Sequence, residues 1–193
     1  MSQQIEIEFK NLLTKEEFNR LKAYFHIEDS MFRKQVNHYF DTPTFILKDN
    51  KCALRIREKN DTFEMTLKEP LNEGILETNQ VISKEEAEAM ISNGTLVDGP
   101  IKSQLMKIDL DFSGLTYFGT LTTERVEFEY KDGLLVLDYS YYLNQHDYEL
   151  EYEVNQYDLG QEIYVKLLQD QNIPIRKTLN KVRRFYEAKY KQL

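Results

Sequence analysis

Apolar and charged residues alternate strictly in five stretches of the chain, and strict alternation is typical of a β-strand with one apolar and one polar face. The first stretch is "IEIEFK" at residues 5–10. The others lie at residues 53–59, 62–70, 121–130 and 148–154. Further strands are predicted at 75–82 and 134–142, and "NHYFDTP" at 37–43 is typical of a strand that ends in a turn. The pattern therefore predicts seven or eight strands.

Short turn sequences indicate that some of these strands pair as antiparallel hairpins. Asn60-Asp61 separates two of the alternating stretches. Lys131-Asp132-Gly133 separates two more, and Asp-Gly is a strong hairpin signal. The sheet is therefore expected to be largely antiparallel.

Four or so helices are predicted from capping signals and apolar spacing. Two capping boxes mark helix starts, Thr14 with Glu17 and Ser83 with Glu86. Asp158 is expected to cap a third helix, which ends at about Gln169. Residues 101–108 are a candidate short helix, and a last helix is predicted from about Thr178 to the C-terminus.

The polar faces of the strands are dense in Arg and Glu, whereas solvent-facing strands usually mix Thr, Ser, Gln and Lys. One interpretation is an open antiparallel sheet with its charged face in water. The other is a sheet that closes into a barrel, with amphipathic helices outside and the charged face lining the lumen. Because burying an unpaired ion is costly, such a lumen must hold water, ions or a charged guest.

Composition narrows the class of protein. The chain has 193 residues, most economically one domain over 1–193, and 41% of them are hydrophobic. The net charge of −8 argues against nucleic-acid and anionic-membrane partners. A single cysteine, Cys52, excludes an intrachain disulfide, and neither a signal peptide nor an apolar run of about 20 residues is evident. These features predict a cytoplasmic protein.

An ordered set of residues resembles the CYTH superfamily, also called the triphosphate tunnel metalloenzymes. The segment Glu6-x-Glu8-x-Lys10 is similar to the family's ExExK signature, and the later matches keep the family order. Those matches are "YFDTP" at 39–43, Arg55 and Arg57, Lys68, Arg125, Asp138, Glu149, Glu151 and Glu153, and Lys181. Two departures stand out: Glu77 is the only acidic residue of "GILETNQVI", and the C-terminal "TLNKVRRFYEAK" matches loosely.

The resemblance implies an α+β fold, a closed eight-stranded antiparallel β-barrel with a charged lumen and helices packed outside. It also assigns roles to the polar residues. The substrate-binding clamp would consist of Lys10, Arg55, Arg57, Lys68, Arg125 and Lys181, with Lys177 and Arg184 as competitors for the place of Lys181. Surface salt bridging is the other interpretation of Arg55 and Arg57. The ligands of Mg²⁺ or Mn²⁺ would be Glu6, Glu8, Asp138, Glu149, Glu151 and Glu153.

The leading hypothesis is a metal-dependent phosphohydrolase that acts on a linear triphosphate, inorganic or organic. Glu6 or Glu149 would orient the attacking water, and the sequence does not choose between them. The alternatives are an adenylate cyclase of class IV type and a non-catalytic receptor for polyphosphate or nucleotides. The expected partner is a small-molecule triphosphate or nucleotide, and both a monomer and a homodimer are open.

Overall fold

The computed structural model describes residues 2–72, 74–107, 112 and 114–190. The strands in these residues are β1 (Ser2–Leu13), β2 (Arg33–Asp41), β3 (Ala53–Lys59), β4 (Thr62–Pro70), β5 (Ile75–Ile82), β6 (Thr116–Tyr130), β7 (Gly133–Tyr142) and β8 (Gln145–Val154). The helices are α1 (Lys15–Tyr24), α2 (Ile46–Asp49), α3 (Lys84–Asn93), α4 (Pro100–Lys107), α5 (Tyr157–Asp170) and α6 (Lys181–Tyr190). A short 3₁₀ helix spans Asp29–Met31.

The eight strands form one closed barrel in the order β1-β5-β4-β3-β2-β6-β7-β8. The neighbouring strands whose register is defined, such as β7 with β8 and β1 with β8, are antiparallel. The predicted α+β fold with a closed eight-stranded barrel is therefore confirmed, and the open sheet is excluded.

Backbone contacts divide the chain into two compact units, each with its own apolar core. The first unit comprises Met1–Ile5 and Gln35–Leu121, and the second comprises Glu6–Lys34 and Thr122–Leu193. In the first, strand residues such as Ile56 and Met65 are buried with Met90 of α3 and Leu105 of α4. In the second, Leu150 and Tyr152 of β8 are buried with Leu21 of α1 and Leu167 of α5. In each unit the helices cover the apolar strand face and leave the charged face on the other side of the sheet.

Local signals in the sequence correctly predicted several boundaries. Thr14 closes a capping box on α1, with Thr14 N donating to Glu17 Oε2 at 2.8 Å, and Ser83 with Glu86 does the same on α3. Asn60 and Asp61 both have positive φ, 51° and 58°, as a two-residue hairpin turn of type I′ requires. The strand over 75–82 is confirmed as β5.

Other boundaries were wrong. Helix α5 has Gln156 as its N-cap, so Asp158 lies in its first turn rather than at the cap. Helix α6 begins at Lys181 rather than Thr178, because the Thr178 hydroxyl accepts a hydrogen bond from Leu12 N of β1 instead of starting a helix. Helix α2 was not predicted; its amides Leu47 N and Lys48 N donate to the carboxylate of Asp41, a tertiary contact.

The helices are short, and α5, with 14 residues, is longer than the other five. Within the described parts of the chain, none is both long and apolar enough to cross a membrane.

Candidate functional site

Strand register brings charged residues of the second unit onto one face of its sheet. Arg125 of β6 lies directly across from Asp138 of β7, and Asp138 lies across from Glu149 of β8. On the other side of β8, Glu151 faces Lys10 of β1 and Glu153 faces Glu8. Since alternate residues of a strand share a face, Glu149, Glu151 and Glu153 form one acidic row.

Arg125 is held by a fork of carboxylates. Its Nε and Nη2 donate to the two oxygens of Asp138 at 2.8 and 2.7 Å, and Nη2 also donates to Glu151 Oε2 at 2.7 Å. Its Nη1 lies 4.0 Å from Glu153 Oε1. Burial favours the neutral guanidine, but Asp138 and Glu151 outweigh it and raise the pKa of Arg125 well above its ordinary value. The guanidinium is therefore permanently charged.

Lys181, the first residue of α6, reaches the same carboxylates. Its Nζ lies 2.6 Å from Asp138 Oδ2, 3.0 Å from Glu149 Oε1 and 2.5 Å from Glu151 Oε1. Burial opposes the ammonium, yet these three carboxylates raise the pKa of Lys181 well above its ordinary value. The α6 helix thereby supplies a second cation, besides Arg125, to the carboxylates of this face.

Arg184, one turn later in α6, extends this contact. Its Nε and Nη2 each lie 3.1 Å from Asp147, and Nη2 also donates to Glu149. Tyr142 donates its hydroxyl to the same Asp147 at 2.9 Å. Lys181 and Arg184, treated as competitors in the sequence, therefore both contact Glu149, whereas Lys177 is exposed. The role of Tyr142 was missed because it belongs to no charged alternation. That of Asp147 was missed because the strand was predicted to begin at residue 148, although Asp147 continues the alternation of Glu149, Glu151 and Glu153.

The neighbouring carboxylates of β8 sit in different electrostatic environments. For Glu151, burial disfavours the charge, but Lys181 and Arg125 more than compensate and hold its pKa well below the ordinary range. For Glu149, burial outweighs the attraction of Lys181, Glu151 repels it further, and its pKa rises to about 7. For Glu153, burial and repulsion from Glu6 prevail over Arg125, and its pKa also rises to about 7.

The named acidic groups of this face outnumber its cations. Lys10 pairs with Glu8, and Arg125, Lys181 and Arg184 pair as described above. The carboxylates are Glu6, Glu8, Asp138, Asp147, Glu149, Glu151 and Glu153. The surplus is negative, and a bound cation would lower the mutual repulsion of these groups.

The oxygen donors of this face suit a divalent metal, but the described side chains do not form a complete coordination site. Across the described residues, no three Asp, Glu, His or Cys side chains are grouped so that they could hold a metal ion. The carboxylates provide only oxygen donors, which suit hard cations, and Mg²⁺ typically takes one or two carboxylates with phosphate oxygens and waters. The predicted ligands therefore fit an ion that shares its coordination with an anionic substrate.

The first unit carries a second polar face, and it holds the other predicted basic residues. Arg57 Nε donates to Asn37 Oδ1 at 3.0 Å, and Lys68 pairs with Glu77 across β4 and β5. Arg55 Nε is buried and has no hydrogen-bond partner among the described residues. Since an unpaired buried donor is costly, Arg55 fits a role in binding an anion better than it fits a surface salt bridge.

Buried neutral partners in this unit were not predicted from the sequence. Asn37, 2% exposed, orients Arg57, and Thr66 Oγ1 donates to Asn79 Oδ1 at 2.8 Å. These contacts follow from strand register, which places Asn37 opposite Arg57 and Thr66 opposite Asn79. Register itself, however, is not readable from alternation in single strands.

Comparison with known proteins identifies the family. The model of the CYTH domain matches residues 4–186. The chain is 48% identical, over the full length of both, to a Bacillus subtilis (strain 168) protein named "Putative triphosphatase YjbK". The crystal structure of a "putative adenylate cyclase (bh2851)" from Bacillus halodurans is 41% identical, with a TM-score of 0.93 over 96% of this chain and 100% of that one.

A more distant structure shares the fold. It is the Hippeastrum protein HpAC1, described as a "putative adenylyl cyclase" with dominant triphosphatase activity. It is 22% identical to this chain, with a TM-score of 0.79 over 95% of this chain and 96% of that one. The match of the family model to nearly the whole chain, the full-length relative and the barrel agree, and the chain belongs to the CYTH domain family.

Proposed function

We propose that this protein is a divalent-metal-dependent phosphohydrolase that cleaves a linear triphosphate, either inorganic or part of a small organic molecule. The observation that carries the proposal is the face of the second unit, where the side chains of Arg125 and Lys181, 12% and 13% exposed, lie among a surplus of carboxylates. Fixed cations bind phosphate oxygens, and surplus carboxylates bind the metal that accompanies a triphosphate. The full-length relative named as a triphosphatase supports the same choice.

The substrate would be held by the basic groups predicted from the sequence. Arg125 and Arg55 offer guanidinium donors, which suit phosphate because they are planar and always charged. Lys10, Arg57, Lys68 and Lys181 complete the predicted clamp. Arg55 Nε has no hydrogen-bond partner within the described ranges, which supports its assignment, since a phosphate oxygen would satisfy it.

The metal would be Mg²⁺ or Mn²⁺, held by one or two of the carboxylates Glu6, Glu8, Asp138, Glu149, Glu151 and Glu153. When bound, such an ion neutralises phosphate charge and lowers the pKa of a bound water. Glu149 or Glu6 orients the attacking water. Lys181 and Arg125 hold the acidic row in place through their ion pairs. Their positive charges stabilise the negative charge on the phosphate that is transferred.

An adenylate cyclase is the second candidate, favoured by the name of the Bacillus halodurans relative at 41% identity. In that reaction the ribose 3′-oxygen attacks the α-phosphorus and pyrophosphate leaves. The hydrolase is preferred because the relative with the higher identity of the two, 48% against 41%, bears the triphosphatase name.

One assay separates these candidates. The protein is incubated with Mg²⁺ or Mn²⁺ and with tripolyphosphate, thiamine triphosphate or ATP, and phosphate, pyrophosphate and cyclic AMP are measured. Phosphate release that EDTA abolishes supports the proposal, whereas cyclic AMP with pyrophosphate supports the cyclase. Binding without any product overturns both and indicates a receptor.

A matched pair of variants ties the activity to the site. Arg125→Ala removes a buried cation of the acidic face, whereas Arg183→Ala removes an exposed arginine of α6 that pairs with Glu187. Activity should fall in the first and stay at the wild-type level in the second. Equal activity in both variants would contradict the assignment of Arg125.

A further inference from the structure

The segment that connects α5 to α6 is fastened to the end of β1 and the start of α1. Residues 174–180 form neither helix nor strand. Asn11, fully buried in β1, donates to Pro174 O at 3.1 Å and accepts from Arg176 N at 2.6 Å. Leu12 N donates to Thr178 Oγ1 at 2.9 Å. A connection without regular structure is thus held at fixed points.

Arg176 is the strongest of these fastenings. Its Nη1 and Nη2 donate to the two carboxylate oxygens of Glu17, both at 2.8 Å, and Nη1 also donates to Leu12 O at 2.8 Å. Glu17 is only 7% exposed and also accepts from Thr14 N in the capping box of α1. A bidentate pair of this kind fixes direction as well as distance. We call Asn11, Glu17, Arg176 and Thr178 the latch.

Register connects the latch to the acidic face. Leu12, which the latch contacts through both its N–H and its carbonyl, lies directly across from Glu149 in the pairing of β1 with β8. Thr178 is bound at Leu12, and Lys181 follows three residues later with its Nζ 3.0 Å from Glu149. The position of Leu12 in β1 therefore fixes both the Glu149 carboxylate and the start of α6, the helix that carries Lys181.

We infer that Arg176 is a positioning residue, which acts through the latch to hold Lys181 of α6 against the acidic row and thereby supports binding of the triphosphate. This inference rests on the proposed function only for the identity of the ligand. The physical reason is entropic: a lysine on a loosely tethered helix must be ordered when substrate binds, and one that is already held need not be.

The test is a double-mutant cycle read out as tripolyphosphate affinity. Binding is measured by calorimetry in EDTA for wild type, Arg176→Ala, Lys181→Ala and the double variant. Arg176→Ala should weaken binding by roughly 2- to 10-fold, the cost of ordering one long side chain. In the Lys181→Ala background the same change should have little further effect. Equal weakening in both backgrounds would mean that Arg176 does not act through Lys181.

Hydrogen exchange of the ligand-free protein keeps the inference testable whatever the ligand is. Amides of α6 should exchange faster in Arg176→Ala than in wild type, while those of β7 and β8 stay unchanged. The matched control is Arg183→Ala, which replaces an exposed arginine of α6 and should leave hydrogen exchange unaltered. If tripolyphosphate fails to bind the wild type both in EDTA and with Mg²⁺ present, the proposed function fails while faster exchange still supports the latch. Unchanged exchange overturns the latch.

Glu17→Gln provides a milder second variant in case Arg176→Ala does not fold. Glutamine keeps an acceptor for the capping box but loses the charge that holds Arg176. It should raise the exchange of α6 in the same direction as Arg176→Ala. Protection at the wild-type level in a folded Glu17→Gln would count against the latch.

Discussion

Each buried ionic residue of the acidic face is stable only because of its neighbours. Removing an ion from water costs several kcal/mol, and Asp138 is fully buried. Arg125 and Lys181 both contact it, at 2.7 and 2.6 Å, so the cost is offset by two fixed cations. Tightly packed ion pairs of this kind contribute little net stability, but they fix where charge lies. They are therefore better explained by binding than by folding.

Glu149 can be tested by an isosteric change. Glu149→Gln keeps the size of the side chain and removes the carboxylate proposed to orient water or bind metal. Turnover of tripolyphosphate should fall by about 100-fold or more, typical of a lost acid–base or ligand group. The melting temperature should change little, because the amide oxygen still accepts hydrogen bonds and both cations at Glu149 keep other carboxylate partners, Lys181 with Asp138 and Arg184 with Asp147. A variant that keeps the wild-type rate would remove Glu149 from the mechanism.

At the scale of the elements, single aromatic residues attach α1 and α5 to strand β8. The ring centroids of Phe18 in α1 and Tyr148 in β8 are 4.8 Å apart, and the Tyr164 hydroxyl of α5 donates to Leu150 O of β8 at 3.2 Å.

Helix ends differ in how far they can be predicted from the sequence. Capping boxes could be predicted from local spacing, because donor and acceptor are three residues apart. The start of α6 could not, since it depends on contacts with β1 more than 160 residues away.

The Glu17–Arg176 pair makes stability depend on pH. The hydrogen bonds from Arg176 lower the pKa of Glu17 below its ordinary value of 4.5, against the effect of burial, and Thr14 lowers it further. A group with a depressed folded pKa stabilises the fold above its ordinary pKa, and this contribution is lost as the pH falls through the folded value. The wild type should therefore have a higher melting temperature than Glu17→Gln at pH 7. The melting temperatures of the two proteins should converge below pH 4.5.

That comparison needs thermal melts of both proteins across pH 2–8, with Glu88→Gln as a control. Glu88 is an exposed glutamate of α3, and its Oε1 lies 3.8 Å from the exposed Lys84 Nζ. A gap between wild type and Glu17→Gln that stays constant down to the lowest pH would contradict the ionic origin.

Gly160 lets α5 approach the sheet closely. A Cβ at this position would lie 2.6 Å from Val154 Cγ2 and 3.0 Å from Phe9 Cε2. Gly160→Ala should therefore lower the free energy of unfolding by roughly 1–3 kcal/mol, despite the better helix propensity of alanine. Urea denaturation measures this, and increased stability would show that the helix can shift at no cost.

At the scale of the whole molecule, a bound triphosphate should be visible as thermal stability. Tripolyphosphate with Mg²⁺ at about 100 times its dissociation constant adds about 2.7 kcal/mol. For a chain of this size the melting temperature should rise by roughly 5–11 °C. Orthophosphate at the same concentration is the control. A shift of the same size with orthophosphate would indicate generic anion binding instead of a triphosphate site.

The sequence by itself determined the alternating strands and the set of charged residues that the proposed site uses, and its resemblance to the CYTH family implied that the strands close into a barrel. Strand alternation is a local property with a period of two, so the charged faces of β1, β3, β4, β6 and β8 were readable without coordinates. The residues that resemble the CYTH signature occur in the family's order along the chain. That order is a property of the sequence and needs no coordinates to be recognised.

Only the tertiary structure decided how these charges are paired. Strand register and the start of α6 decide that Arg125 binds Asp138 and Glu151 and that both Lys181 and Arg184 contact Glu149. They also leave Arg55 Nε without a partner in the part of the chain that the structure describes. Register and helix position are set by contacts between residues far apart in the chain, such as Arg176 with Glu17. No local periodicity encodes such contacts. Burial raises the pKa of Glu149, whereas Lys181 and Arg125 overcome burial at Glu151 and lower its pKa.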